Sequence, residues 1–151
     1  MRDAPTRRAV LALAAAAAML CATPALADKA THRLAIQVNS NDAGVMNLTL
    51  NNVSNVAEYY KGIGEDVQIE IVAYGPGLHM LRADTSPVKD RVAALKKKLP
   101  NVAFAACGNT MAGMKKQESR EISLLPEATV VQSGVVRLMQ LQEQNWTYIR
   151  P

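Results

Sequence analysis

The stretch Val102-Ala103-Phe104-Ala105-Ala106-Cys107-Gly108-Asn109-Thr110 decides the fold. Val102–Ala106 is apolar at every position, which is what a strand covered on both faces requires. Pro100-Asn101 breaks whatever precedes it, and Cys107-Gly108 ends the run. From Asn109 to about Ser119 the chain has helical length and composition. A doubly covered strand that leads into a helix is the unit of a parallel sheet, whose crossovers lay helices over both faces.

The same alternation continues on either side. Leu34, Ile36 and Val38 alternate as in a strand and stop at the turn cluster 39–44. Asn47–Ile63 follows as a helix, with Leu50, Val53, Ala57 and Tyr60 on one face of a 3.6-residue period. Val67–Tyr74 is the richest β run, closed by Gly75-Pro76-Gly77. Pro87–Leu99 carries Val88, Val92, Leu95 and Leu99 at helical spacing, with Ser86 placed as its cap and Pro87 at its first position. Downstream, Ala128–Gln132 is a strand, Ser133 caps a helix from Gly134 to about Gln144, and Trp146–Ile149 is a terminal strand. The order βαβαβαβαβ predicts an α/β, flavodoxin-like three-layer domain with a mostly parallel five-stranded sheet.

Composition bounds the rest. The chain has 151 residues, 49% of them hydrophobic, and two cysteines, which suits one packed domain and excludes a disordered tail or a disulfide scaffold. Its first residues have the three-part form of an export signal. Arg2, Arg7 and Arg8 are followed by an apolar run from Ala9 to Ala22, then Pro24 and Ala25-Leu26-Ala27. Residues 1–27 are therefore expected to be cleaved and 28–151 to form the domain, placing the protein in the periplasm. Thr6-Arg7-Arg8 resembles a twin-arginine (Tat) signal, with Sec as the other route. Leu20 precedes Cys21 where a lipoprotein signal needs a small residue, so Cys21 leaves with the signal. The apolar run is shorter than the roughly 20 residues a spanning helix needs, and no membrane attachment is expected after cleavage. Removing 27 of 151 residues leaves 124, with 14 Lys and Arg against 12 Asp and Glu, a net charge of +2. No concentrated basic face remains, which argues against a nucleic-acid partner. Lys96–Lys98 and Lys115-Lys116 read as solvated helix ends.

One cysteine then remains, Cys107, where a buried strand becomes a helix. The amides of Asn109, Thr110 and Met111 can point at its sulfur there and favour the thiolate, and Gly108 permits a tight turn. The alternative, a small buried hydrophobe, stays open at this point. A Cys-x-x-Cys redox pair is excluded. A phosphate-binding cysteine loop is disfavoured, because Ala112 and Gly113 stand where its arginine belongs. His79 is the credible titrating partner, since His32 falls in the expected frayed start. Gly75-Pro76-Gly77 lacks a third glycine, Met80 standing in its place, so no dinucleotide cofactor is expected, and no other cofactor either. In a doubly wound sheet, ligands bind beyond the carboxyl ends of the strands where the order reverses, between the first and third strands in the flavodoxin order. That expectation brings together Asn39, Asn41 and Asp42 after strand one, Gly75, Gly77 and His79 after strand two, and Cys107, Gly108, Asn109 and Thr110 after strand three. No metal site is assigned, although Cys107, Met111, Met114 and Met80 are soft ligands of the kind monovalent copper takes.

Phe104-Ala105-Ala106-Cys107-Gly108-Asn109-Thr110-Met111 resembles the cysteine segment of the DsrE/DsrF-like sulfur-relay family. The likeness continues through Ala73–Gly77, Leu124-Leu125-Pro126, Ser133-Gly134-Val135 and Trp146–Pro151. The resemblance implies a flavodoxin-like domain that assembles into trimers or hexamers. It also implies a cysteine, here Cys107, that accepts sulfane sulfur as a persulfide and hands it on, as a sulfurtransferase-type carrier between donor and acceptor proteins or small thiols. The best-understood relatives work in the cytoplasm, some toward transfer RNA, whereas an export signal removes that end point. Two other functions fit the same residues: a non-catalytic oligomeric module binding a small ligand at subunit junctions, and soft-metal (copper) binding. The nearly all-apolar helix bearing Val135, Val136, Leu138, Met139 and Leu141 supports a homo-oligomer in its own right.

Overall fold

The computed structural model describes residues 30–151, and the expected signal at 1–27 lies outside the described residues. Five strands, β1 (Ala30–Val38), β2 (Asp66–Ala73), β3 (Val102–Cys107), β4 (Ala128–Val131) and β5 (Thr147–Ile149), alternate with helices α1 (Ala43–Gly62), α2 (Lys89–Lys98), α3 (Gly108–Glu118) and α4 (Gly134–Glu143). All pairings are parallel, in the order β4-β3-β2-β1-β5. The α/β flavodoxin-like architecture expected from the sequence is present, with helices on both faces.

Side-chain parity along the strands assigns the faces. Leu34, Ile36 and Val38 of β1, Ile69 and Ile71 of β2, and Phe104 and Ala106 of β3 meet Leu50 and Val53 of α1 and Val92 and Leu95 of α2 in the main core. The alternate residues Ala35, Val72 and Ala105 meet Leu138 and Leu141 of α4 on the other face. Burying such a leucine contributes about 1.5–3 kcal/mol, so α4 is held mainly by these two and by one ion pair. Arg137 donates to both carboxylate oxygens of the buried Glu70 at 2.6 Å. Val135, Val136 and Met139 of the same helix stay exposed, as do Val130, Tyr148 and Ile149. Ala103 is exposed too, so β3 is not covered at every position, because a single helix leaves part of that face bare.

Several boundaries differ from the sequence reading for local reasons. The helix after β1 starts at Ala43, inside the expected turn, because Asp42 caps it, accepting the Val45 N–H at 3.0 Å. Residues Gly75–Leu81 form a 3-10 turn that buries Leu78, Met80 and Leu81. Ser86 does not cap α2. Its hydroxyl donates to the Met80 carbonyl at 2.6 Å, fastening the strap that follows the 3-10 turn, and α2 begins after Val88. Ser133 does cap α4, accepting from Val136 N–H. His32 is not frayed: it lies in β1, stacks on Tyr60 and pairs with Glu65 at 2.6 Å. No helix among the described residues is long and apolar enough to cross a membrane.

Candidate functional site

The strand order moves the point of reversal. β2 stands between β1 and β3, so the loop Asn39–Asp42 is two strands away from Cys107, roughly 10 Å at ordinary strand spacing. This order moves the reversal away from the expected β1/β3 boundary, although Asn41 of the first loop and Thr110 after β3 still line one cleft. The chain turns to the main-core face after β3 and to the opposite face after β4. The change of face falls between the carboxyl ends of β3 and β4, where Cys107 pairs with Val131 in register.

Cys107 is the last residue of β3 and directly precedes α3. By parity its side chain lies on the α4 face, so the N-termini of two helices converge on the sulfur. The backbone amides of Asn109 and Thr110 come from α3, that of Gly134 comes from α4, and the Thr110 hydroxyl is a further donor. Burial pushes the thiol pKa up, but these donors outweigh it, and the net result is a thiol more acidic than usual. Cys107 is only 5% exposed, so the sulfur is nearly covered. The donors that act on it separate the site from a purely aliphatic core position.

Backbone approaches hold the arrangement in place. The Asn109 N–H also donates to the Gln132 carbonyl at 3.1 Å, tying the start of α3 to the β4–α4 turn. A Cβ on Gly108 would sit 3.2 Å from the Val131 carbonyl oxygen, and one on Gly134 would sit 2.8 Å from Tyr74 Cβ. Gly108 thus lets the turn after β3 lie tightly against the end of β4, and Gly134 lets the start of α4 lie against Tyr74 at the end of β2. Thr110 links the next loop as well, its Oγ1 accepting the Gly75 N–H at 2.9 Å. Gly75 reaches that position with φ +51, in the left-handed region that favours glycine.

The expected ligand residues divide into two groups. Asn41, Gly75, His79 and Thr110 share a cleft of about 400 Å³, completed by Pro76, Gly113, Met114 and Gln117. His79 stands at its wall with Nδ1 2.7 Å from Thr85 Oγ1. The others have structural tasks: Asp42 is the α1 cap. Gly77 lies so close to Val38 that any Cβ would collide with the β1 backbone, and Asn39 forms part of the same contact. The soft-ligand set is divided by the sheet. Met80 is fully buried in the main core, and Met114 Sδ accepts from the buried Arg82 guanidinium at 3.6 Å. Among the described residues, no group of three or more His, Cys, Asp or Glu could hold a metal. A smaller hollow of about 140 Å³, lined by His32, Leu34 and Tyr60 among others, lies at the amino edge of the sheet and contains no nucleophile.

Gly134 is the contributor that the sequence reading missed. Ser133-Gly134 was legible as a helix start, but its pairing with Cys107 depends on β4 lying beside β3.

Comparison with known proteins bears on the fold and the family. No curated protein matches the chain. A solved structure of a protein of unknown function from Methanobacterium thermoautotrophicum is 32% identical, covers 80% of this chain and 99% of its own, and superposes with a TM-score of 0.68. The DsrE/DsrF-like family profile matches residues 4–151. With nearly the whole length matched, the chain belongs to the DsrE/DsrF-like family.

Proposed function

We propose that the protein is a periplasmic sulfur carrier that accepts sulfane sulfur as a persulfide on Cys107. Family membership suggests a role related to sulfur relay. One observation carries the finer reading: a single cysteine among the described residues, met by a hydroxyl and by amides from two helix N-termini that favour its anion. In the first step the Cys107 thiolate attacks the terminal sulfur of a donor R–S–SH. A new S–S bond forms to Cys107, the bond from R–S to that sulfur breaks, and R–S⁻ leaves with the electron pair and takes a proton from water. The same amides then stabilise the negative charge of Cys107–S–S⁻. An acceptor thiolate attacks the outer sulfur, carries it away and regenerates the Cys107 thiolate. No net oxidation occurs in either step and no cofactor is required.

Homo-oligomer formation, as a trimer or hexamer, belongs to the same proposal. Its support is the exposed apolar side of α4, Val135, Val136 and Met139, which this chain leaves uncovered. The test of the carrier is incubation of the purified protein with polysulfide, followed by peptide mass spectrometry. One added sulfur atom on Cys107, absent from Cys107→Ser, is expected. Absence of the adduct while a small alkylating agent still reaches Cys107 overturns the proposal.

A further inference from the structure

We propose that the cleft between the 3-10 turn and α3 is a binding site for a small organic thiol or persulfide that carries uncharged amide groups, with Thr110 standing between the cleft and Cys107. The role assigned to the ligand rests on the carrier reading, whereas the existence of the site does not.

α3 is an unusual helix for this fold. Thr110, Gly113, Met114 and Gln117 fall at the spacing that puts residues on one helix face, next to the side on which Met111 and Met114 pack against the main core. Yet α3 buries none of its residues, and this stripe forms one wall of a cleft of about 400 Å³. That volume falls within the roughly 300–1,000 Å³ of small-molecule sites. Gly113 keeps the wall open. A glycine inside a helix costs about 1 kcal/mol relative to alanine, and packing does not call for one here, because a Cβ at Gly113 would meet nothing within 4 Å. Its bare backbone lets a flat group approach the helix.

The lining indicates the ligand class. The cleft walls contain no Lys, Arg, Asp or Glu. A small inorganic sulfur anion would find no fixed cation there and would leave most of the volume empty. The side-chain amides of Asn41 and Gln117 each offer donors and an acceptor, and neither makes a hydrogen bond among the described residues. With His79 Nδ1 held at Thr85, its Nε2 is the nitrogen free for a ligand. Such a set complements peptide-type amides, while Met114 gives an apolar contact. Thr110 is the shared wall, facing the cleft while its hydroxyl reaches the Cys107 sulfur.

The probe is N-acetyl-S-methylcysteinyl-glycinamide, an unreactive neutral thioether, titrated calorimetrically into the purified protein and its variants. We expect binding to the wild type and to Cys107→Ser with similar affinity, and no competition by thiosulfate. Gly113→Leu should weaken binding at least tenfold with its melting temperature maintained, since the new side chain enters open space. Gln117→Ala, a surface change that folding tolerates, should weaken binding severalfold and serves as the independent variant. Absence of wild-type binding, unchanged affinity in both variants, or displacement by thiosulfate overturns the proposal. If the probe does not bind while polysulfide still loads Cys107, this site falls and the carrier stands. If the probe binds while Cys107 takes up no sulfur, the carrier falls and the site stands.

Discussion

Thr110→Val removes one hydroxyl and keeps the shape of the side chain, so it isolates the contact that joins the Gly75 turn to Cys107. Thr110 Oγ1 accepts the Gly75 N–H at 2.9 Å, which turns the hydroxyl proton toward the sulfur. A hydrogen bond to a charged group contributes about 1.5–3 kcal/mol. Thr110 is half-buried, so the lower end applies, and at fixed pH below its titration the thiolate population falls about tenfold. The rate of attack should fall less than the population. A more basic thiolate is a better nucleophile, with a Brønsted slope of about 0.4–0.5, so a tenfold population loss becomes roughly a threefold loss in alkylation rate. The Gly75 N–H also loses its acceptor, at about 1 kcal/mol of stability. The assay is the pH dependence of alkylation by a small reagent, with thiolate ultraviolet absorbance read in parallel. The titration should move to higher pH in Thr110→Val and return in Thr110→Ser. An unchanged titration in folded Thr110→Val refutes the hydroxyl contact. A shift that Thr110→Ser fails to reverse assigns the effect to packing.

Other perturbations separate the site from its supports. Gly134→Ala places a Cβ 2.8 Å from Tyr74 Cβ; the start of α4 must move, costing about 1–3 kcal/mol and raising the Cys107 titration, and an unchanged titration with intact helices by circular dichroism would detach α4 from the site. Arg137→Ala leaves the carboxylate of Glu70, a residue 6% exposed, without its partner; a loss of about 3 kcal/mol in urea unfolding is expected, at the low end for a broken buried pair because Arg137 is partly exposed. Arg82, buried and bonded to both Asp84 and Glu118, holds both carboxyls well below their ordinary values, Glu118 at about 2. A depressed carboxylate stabilises the fold above its unfolded value near 4 and ceases to as pH falls toward the folded one, so melting temperature should drop through that acid range, and Arg82→Met should flatten the dependence.

The sequence made the architecture legible because its signals are local. Val102–Ala106 announces a doubly covered strand, the spacing of Leu50, Val53 and Ala57 announces a helix face, and Ser133 announces a cap. Cys107 at the end of β3 was equally legible, since both the strand and its stop lie within a few residues. What the alternation of elements could not supply was neighbourhood. The same βα series closes in more than one strand order, and the order depends on which strand each helix returns beside. Here β2 lies between β1 and β3, and β4 lies at the far edge, so α4 rather than the loop after β1 faces the cysteine. Asp42 looked like a ligand in a turn because capping and binding use the same side-chain oxygen. Arg82 left no signal either, since its carboxylate partner Glu118 is distant in sequence and only the fold brings them together. The distinction has a chemical consequence. A thiol facing one helix N-terminus would be acidified by a dipole that salt and solvent screen. A nearly covered thiol between two N-termini and a hydroxyl is held by local donors that the protein shields from solvent. Its acidity should therefore survive high salt, and a titration that drifts upward as salt is added would place the effect in the long-range field instead.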